Sequence, residues 1–135
     1  MMLNQPLLYA DRVNKNKRVY SVRVVEKMCF EAQEAVRERR FPCTLGNPPD
    51  SVIPFKDMCG LVTRLEVAGN ALCADIELID TPCGKIVKNM ISGGGRVAFR
   101  TFGIGTGHVD ENEIMNINSD YKLLGVACLP PEEAS

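Results

Sequence analysis

The stretch LVTRLEVAGNALCADIEL, residues 61–78, decides the fold, because apolar and polar side chains alternate along it on both sides of a turn. In its first half, the residues expected on one face are Leu61, Thr63, Leu65 and Val67. The second half, residues 71–78, repeats the alternation, and Gly69-Asn70 between the halves is typical of a tight hairpin turn. The sequence therefore predicts a β-hairpin with one buried face.

Two amphipathic helices flank this hairpin. Residues 21–40 carry apolar side chains at helical spacing, with Ser21 as a plausible N-cap and a basic trio at the C-terminal end: Arg37, Arg39 and Arg40. A second, shorter helix follows the hairpin, with Asp80 or Thr81 as the cap, Pro82 in the first turn and Gly93 at the end.

The remaining chain supplies further strands. They are predicted at residues 6–9, 41–45, 96–104 and 121–129, with one more at 114–117 inside a glycine-led loop, 103–119. The nearly continuous apolar run at 123–129 is typical of a central strand. The prolines at 48 and 49 make residues 46–50 a rigid loop. The expected fold class is α+β, mainly an antiparallel β-sheet of six or seven strands or a barrel, with two inserted helices.

Composition limits the classes of protein and partner. A chain of 135 residues with 45% hydrophobic and 24% charged residues fits one globular domain, 1–135. A net charge of −1 gives no reason to expect binding to nucleic acid or to an anionic membrane, and no apolar run approaches the length of a membrane span. The six cysteines form no C-x-x-C pair, which favours free thiols in a reducing compartment.

No motif in the sequence indicates a metal, cofactor or phosphate site. The triple glycine 93–95 follows a helix and precedes a strand, the reverse of a phosphate-binding loop, and Gly103-x-Gly105-x-Gly107 leads into no helix. His108 is the single histidine and has no cysteine or carboxylate partners at ligand spacing. We therefore expect neither metal nor cofactor.

An ordered set of motifs spans nearly the whole chain: NKNKRVY (14–20), VVEK (24–27), LGNP (45–48), LIDTPCGK (78–85), SGGGRVAFRTFG (92–103), DYKLLG (120–125) and PPEEAS (130–135). In this order they resemble the prohead (capsid maturation) proteases of tailed phages. The resemblance implies the maturation-protease fold that herpesviruses and phages share. It also implies a serine nucleophile and a histidine base.

The departures from that family fall on the catalytic positions. The resemblance places Asn47 at the histidine position and either Ala98 or Phe99 at the serine position, while Arg100 keeps the place of the family's arginine. An amide is no base near neutral pH, and neither candidate at the serine position can attack a carbonyl. For the third catalytic position, near the end of the last strand, the resemblance indicates Ala127 as the candidate. We therefore expect a catalytically degenerate member, a pseudoenzyme.

A replacement nucleophile is the alternative. Cys43 lies four residues before Asn47, and His108 could approach it from another loop, which would give a cysteine peptidase. The resemblance puts neither residue at a catalytic position.

The expected role is therefore that of a virion structural protein. The resemblance implies a cement or decoration protein that binds the phage major capsid protein as a homo-oligomer or symmetric array, located in the virion and, during assembly, in the host cytoplasm. Candidate apolar anchors are Phe55, Ile104 and Met115. The alternatives are an active maturation protease with an atypical site and a transient capsid-assembly factor.

Overall fold

The computed structural model describes residues 1–48 and 50–133. Two α-helices, α1 (Val22–Arg37) and α2 (Pro82–Ser92), and two 3₁₀ turns, at Phe55–Asp57 and Pro131–Glu133, accompany the strands. The strands in this part of the chain are β1 (Met2–Tyr9), β2 (Arg18–Val19), β3 (Pro42–Leu45), β4 (Met58–Ala68), β5 (Ala71–Leu78), β6 (Ala98–Ile104), β7 (Gly107–Val109), β8 (Met115–Ile117) and β9 (Lys122–Leu129). Pro49 of the predicted loop and residues 134–135 of the tail motif lie outside the described residues.

Six strands form the main sheet in the order β1-β5-β4-β3-β9-β6. Neighbours run antiparallel except β3 and β9, which are parallel. The sheet curls until Cα atoms of its two edge strands, β1 and β6, come within 8 Å of each other, yet these strands do not pair. The α+β prediction is confirmed, the strand at 123–129 is central as expected, and the barrel stays half open.

Helix α1 packs its apolar stripe against β4 and β9. Its predicted cap is confirmed, because the Ser21 Oγ accepts a hydrogen bond from the Val24 N–H at 3.3 Å. The predicted C-terminal boundary at residue 40 is wrong: the helix ends at Arg37, and Arg39 adopts a left-handed φ of 57° that a helix cannot continue. The last arginines of the basic trio therefore lie beyond the helix, where Arg39 pairs with Glu77 and Arg40 with Glu38.

Of the two predicted caps of α2, Thr81 rather than Asp80 is the N-cap. The Thr81 Oγ accepts from the Gly84 N–H at 3.0 Å and donates to the Met58 carbonyl at 2.7 Å, so one hydroxyl caps the helix and ties it to β4. Pro82 occupies the first turn and Gly93 the C-cap, as predicted. Gly84 is buried so closely against the Ile79 carbonyl that a Cβ would overlap it.

The hairpin β4–β5 is confirmed, with Gly69 in the turn at a φ of +63°. The predicted face is wrong in its first half: Val62 is fully buried, and Leu61 and Thr63 are only half-buried. A register shift between Val62 and Arg64 explains the difference, because an extra residue in one strand inverts the alternation and brings Leu65 back into the core.

A second sheet, β2-β8-β7, takes β7 and β8 from the segment predicted as a glycine-led loop and β2 from residues 18–19. The strand expected at 114–117 is present as β8, whereas β2 and β7 escape prediction because runs of two and three residues carry no periodic signal. The described residues thus contain nine strands rather than six or seven. In the same part of the chain, no helix combines the length and apolar character needed to cross a bilayer.

Candidate functional site

A polar cleft of about 340 Å³ opens beside β6. Its walls come from β1, from β2 and the loop that precedes it, from the turn that follows β3 and from β6 itself. We call it the polar cleft, and its described lining is Leu7, Leu8, Asn14, Asn16, Arg18, Tyr20, Asn47, Arg100, Thr101, Phe102, Gly103 and Tyr121. Two guanidinium groups and three amides therefore share one concave surface.

Strand β9 brings Asn47 and Arg100 together. It pairs with β3 on one side and β6 on the other, so Ala127 lies opposite both Thr44 and Arg100. Gly46 then turns the chain at a φ of +81°, and its N–H donates to the Cys128 carbonyl at 2.9 Å. This turn presents the next residue, Asn47, toward β6.

The two side chains are joined by a short hydrogen bond. The Nη2 of Arg100 donates to the Oδ1 of Asn47 at 2.6 Å. The amide oxygen thus accepts from a guanidinium, and the amide nitrogen has no basic lone pair, so Asn47 cannot take a proton from a nucleophile. The pair orients polar donors in the cleft without supplying acid–base chemistry.

Strand β6 does not present a nucleophile at the positions that the resemblance indicates. Phe99 is buried with 6% of its surface exposed and belongs to the hydrophobic core. Ala98 is half-buried and lines a neighbouring cavity of about 440 Å³ between β1 and β6. The expected position of the third catalytic residue, Ala127, is also buried and apolar.

The described lining of the polar cleft contains no serine, cysteine, histidine or carboxylate. Its hydroxyl groups belong to Thr101, Tyr20 and Tyr121. The two tyrosine rings meet edge to face at 5.5 Å, and burial raises the pKa of Tyr121 above its usual range. No group in this lining can act as a base near neutral pH, so no lining residue can deprotonate the Thr101 hydroxyl and make it a nucleophile.

The loop before β2 is the part of the site that the sequence did not identify. Its side chain Asn14 accepts from the backbone N–H groups of Asn16 and Arg18 at 2.9 and 3.0 Å, which folds the loop over the cleft. In the sequence, this segment stands out only as the NKNKRVY motif, residues 14–20, and not as part of a site. The spaced asparagines were the available signal, since such side chains commonly order a turn by bonding to their own backbone.

The structure does not bring Cys43 and His108 together. Cys43 is fully buried in β3, with its Sγ 3.6 Å from that of Cys59. His108 is exposed on β7 of the second sheet, where its Nδ1 lies 3.2 Å from the Asn118 Oδ1. The arrangement gives no support to a cysteine peptidase. Among residues 1–48 and 50–133, no three cysteine, histidine or carboxylate side chains cluster as a metal site would require.

Comparisons with known proteins place the fold. No protein-family model matches the chain, and no curated protein matches it by sequence. Among solved structures, the chain is similar to the capsid assembly protease of bacteriophage T4, with a TM-score of 0.88 and 23% sequence identity over 96% of this chain and 81% of that one. At that identity the likeness shows the fold, and it confirms the predicted α+β architecture of a phage maturation protease.

Proposed function

We propose that this chain is a phage capsid protein that has kept the capsid assembly protease fold but binds other proteins without cutting them. In its most concrete form the proposal is a cement or decoration protein, a single domain over residues 1–135, that contacts the major capsid protein. It would act in the virion after assembly in the host cytoplasm. The shared fold with the T4 capsid assembly protease supports the capsid context.

The hydrogen bond between Arg100 and Asn47 carries the proposal. A histidine base at the Asn47 position would need to approach a serine on β6, and the chain has an amide there, with Ala98 and Phe99 on the strand. Removing a nucleophile and its base together costs about a million-fold in turnover in serine peptidases. A chain without peptidase activity can still act by binding other proteins through its folded surface.

Exposed apolar side chains offer contacts for a partner. Phe55 and Ile104 are 85% and 55% exposed, as anchors for a protein interface should be, whereas Met115 is half-buried and a weaker anchor than expected. Because a capsid repeats its subunits, the proposal includes a homo-oligomer or symmetric array on the lattice.

Mature particles of the phage that encodes the chain provide the first test. The particles are purified by sedimentation, and the copies of this chain relative to the major capsid protein are counted by quantitative mass spectrometry. We expect the full-length chain in a fixed ratio to the coat. Its absence from the particles would overturn the cement role and favour a transient assembly factor.

A cleavage assay provides the second test. The purified chain is incubated with the coat precursor, beside N47H/A98S and N47H/F99S variants that restore a histidine and a serine. We expect no cleavage by the natural chain. Cleavage that N47A or R100A abolishes would identify an active protease with an atypical site and contradict the proposal.

A further inference from the structure

A buried pair of thiols lies beside the loop that carries Asn47. Cys43 on β3 and Cys59 on β4 are both fully buried, and their Sγ atoms are 3.6 Å apart. The Cys59 Sγ also lies 3.4 Å from the Cys43 carbonyl oxygen. Neither cysteine takes part in the polar cleft, so the proposed function leaves the pair unexplained.

A β-bulge places the two side chains together. In the β3–β4 register, Cys43 lies opposite Gly60 and Thr44 lies opposite Met58, so Cys59 is the extra residue without a partner of its own. Two residues of the bulged strand then face one residue of the other strand. The bulge therefore points Cys59 toward the same side of the sheet as Cys43.

We propose that Cys43 and Cys59 form a reversible disulfide when the protein meets a peroxide. The two Sγ atoms already lie 3.6 Å apart, and a sulfur–sulfur bond of about 2.05 Å needs them to approach by small side-chain rotations. The bond would close the loop of residues 44–58, which contains Asn47 and the exposed Phe55. Oxidation would thus fix the segment that forms one wall of the polar cleft.

The oxidation balances with hydrogen peroxide as the oxidant. The Cys59 thiolate attacks one peroxide oxygen, the O–O bond breaks, and the leaving hydroxide takes a proton to become water. The Cys43 sulfur then attacks the sulfenic sulfur of Cys59, the S–O bond breaks, and the second hydroxide leaves as water with the Cys43 proton. Two thiols are oxidised to one disulfide, and one peroxide is reduced to two waters.

The surroundings favour Cys59 as the attacking thiol. The side-chain contact between the two thiols lowers the pKa of Cys59, and the same contact together with burial raises the pKa of Cys43. Cys128 on β9 is the neighbouring thiol, and burial raises its pKa to about 12. Cys128 also lines an apolar groove of about 240 Å³ beside α2.

Peptide mapping of the full chain tests the disulfide directly. The chain is treated with hydrogen peroxide or with reductant, its remaining thiols are blocked with N-ethylmaleimide in denaturant, and it is digested with trypsin. Cys43, Cys59 and Cys128 fall in different tryptic peptides, 41–56, 57–64 and 123–135. We expect a linked pair of peptides 41–56 and 57–64 that disappears on reduction.

Thermal unfolding supplies the second measurement. A disulfide that closes the loop of residues 44–58 should raise the Tm by roughly 5 to 10 °C on oxidation, and reductant should reverse the rise. The C59A variant should lose both the link and the rise, and C128A, the matched control, should keep both. If C59A fails to fold, the peptide maps of the natural chain and of C128A show whether the disulfide links Cys43 to Cys59.

Three results would overturn the inference. In the first, all thiols of the chain stay reduced at a peroxide concentration that oxidises glutathione. Another is a link that involves Cys128 in place of Cys43 or Cys59. The third is Cys59 oxidised to sulfinic or sulfonic acid with no linked peptide. None of these outcomes depends on whether the chain binds a capsid.

Discussion

The Thr81 hydroxyl makes two hydrogen bonds that can be removed by a single isosteric substitution, Thr81→Val. The Oγ caps α2 through the Gly84 N–H and holds the helix to β4 through the Met58 carbonyl. Loss of an N-cap costs about 1 kcal/mol, and loss of a part-buried side-chain hydrogen bond costs about another 1 kcal/mol. We therefore expect the free energy of unfolding to fall by about 2 kcal/mol.

Urea and thermal unfolding followed by circular dichroism measure this loss. With the unfolding entropy usual for 135 residues, about 2 kcal/mol corresponds to a fall in Tm of roughly 7 °C. Thr81→Ser keeps the hydroxyl and serves as the matched control, with most of the natural stability expected. A Thr81→Val variant as stable as Thr81→Ser would refute the assignment of both hydrogen bonds.

Other substitutions test the hairpin, the core and the start of α2. Arg64 and Asn4 lower the pKa of Asp75, so this carboxylate adds stability above its ordinary pKa of 3.8, and the contribution disappears as pH falls through the lowered value. The Tm gap between the natural chain and D75N should accordingly be present at neutral pH and vanish in acid; a gap that widens in acid would contradict the ion pair. Met28→Ala empties a fully buried site in α1 and should cost about 2 to 5 kcal/mol in urea unfolding, against a small loss for Met28→Leu. Gly84→Ala would drive its Cβ into the Ile79 carbonyl and should yield little folded protein, whereas a normal yield with unchanged Tm would show that α2 can shift away.

Local chemistry made the helices and the hairpin predictable. A serine or threonine before an apolar stripe defines a helix start by itself, as Ser21 does for α1. The end of α1 was less predictable, because the left-handed turn at Arg39 uses a residue type that rarely adopts it. The buried face of β4 was also predicted wrongly. The bulge beside Val62 depends on pairing with β5, and the residues of β4 themselves carry no signal for it.

The candidate site was also only partly predictable from the sequence. The resemblance to the maturation proteases singled out Asn47 and Arg100, and the structure joins them by a hydrogen bond. The resemblance did not predict that Asn16 and Arg18 line the same cleft, because only the folding of distant parts of the chain brings these residues to the cleft. The contact between Cys43 and Cys59 was equally hidden, since it arises from a bulge between two strands.

By itself, the sequence determined the α+β class, the cap of α1, the hairpin turn and the identity of the side chains at the positions that the resemblance assigns to catalysis. These depend on residue type and on neighbours a few positions away. Tertiary structure alone decided that the sheet curls without closing, which strands hold Asn47 against Arg100 and which thiols meet in the core. Such contacts join residues far apart in the chain, and their geometry follows from strand order and register, which no local pattern encodes.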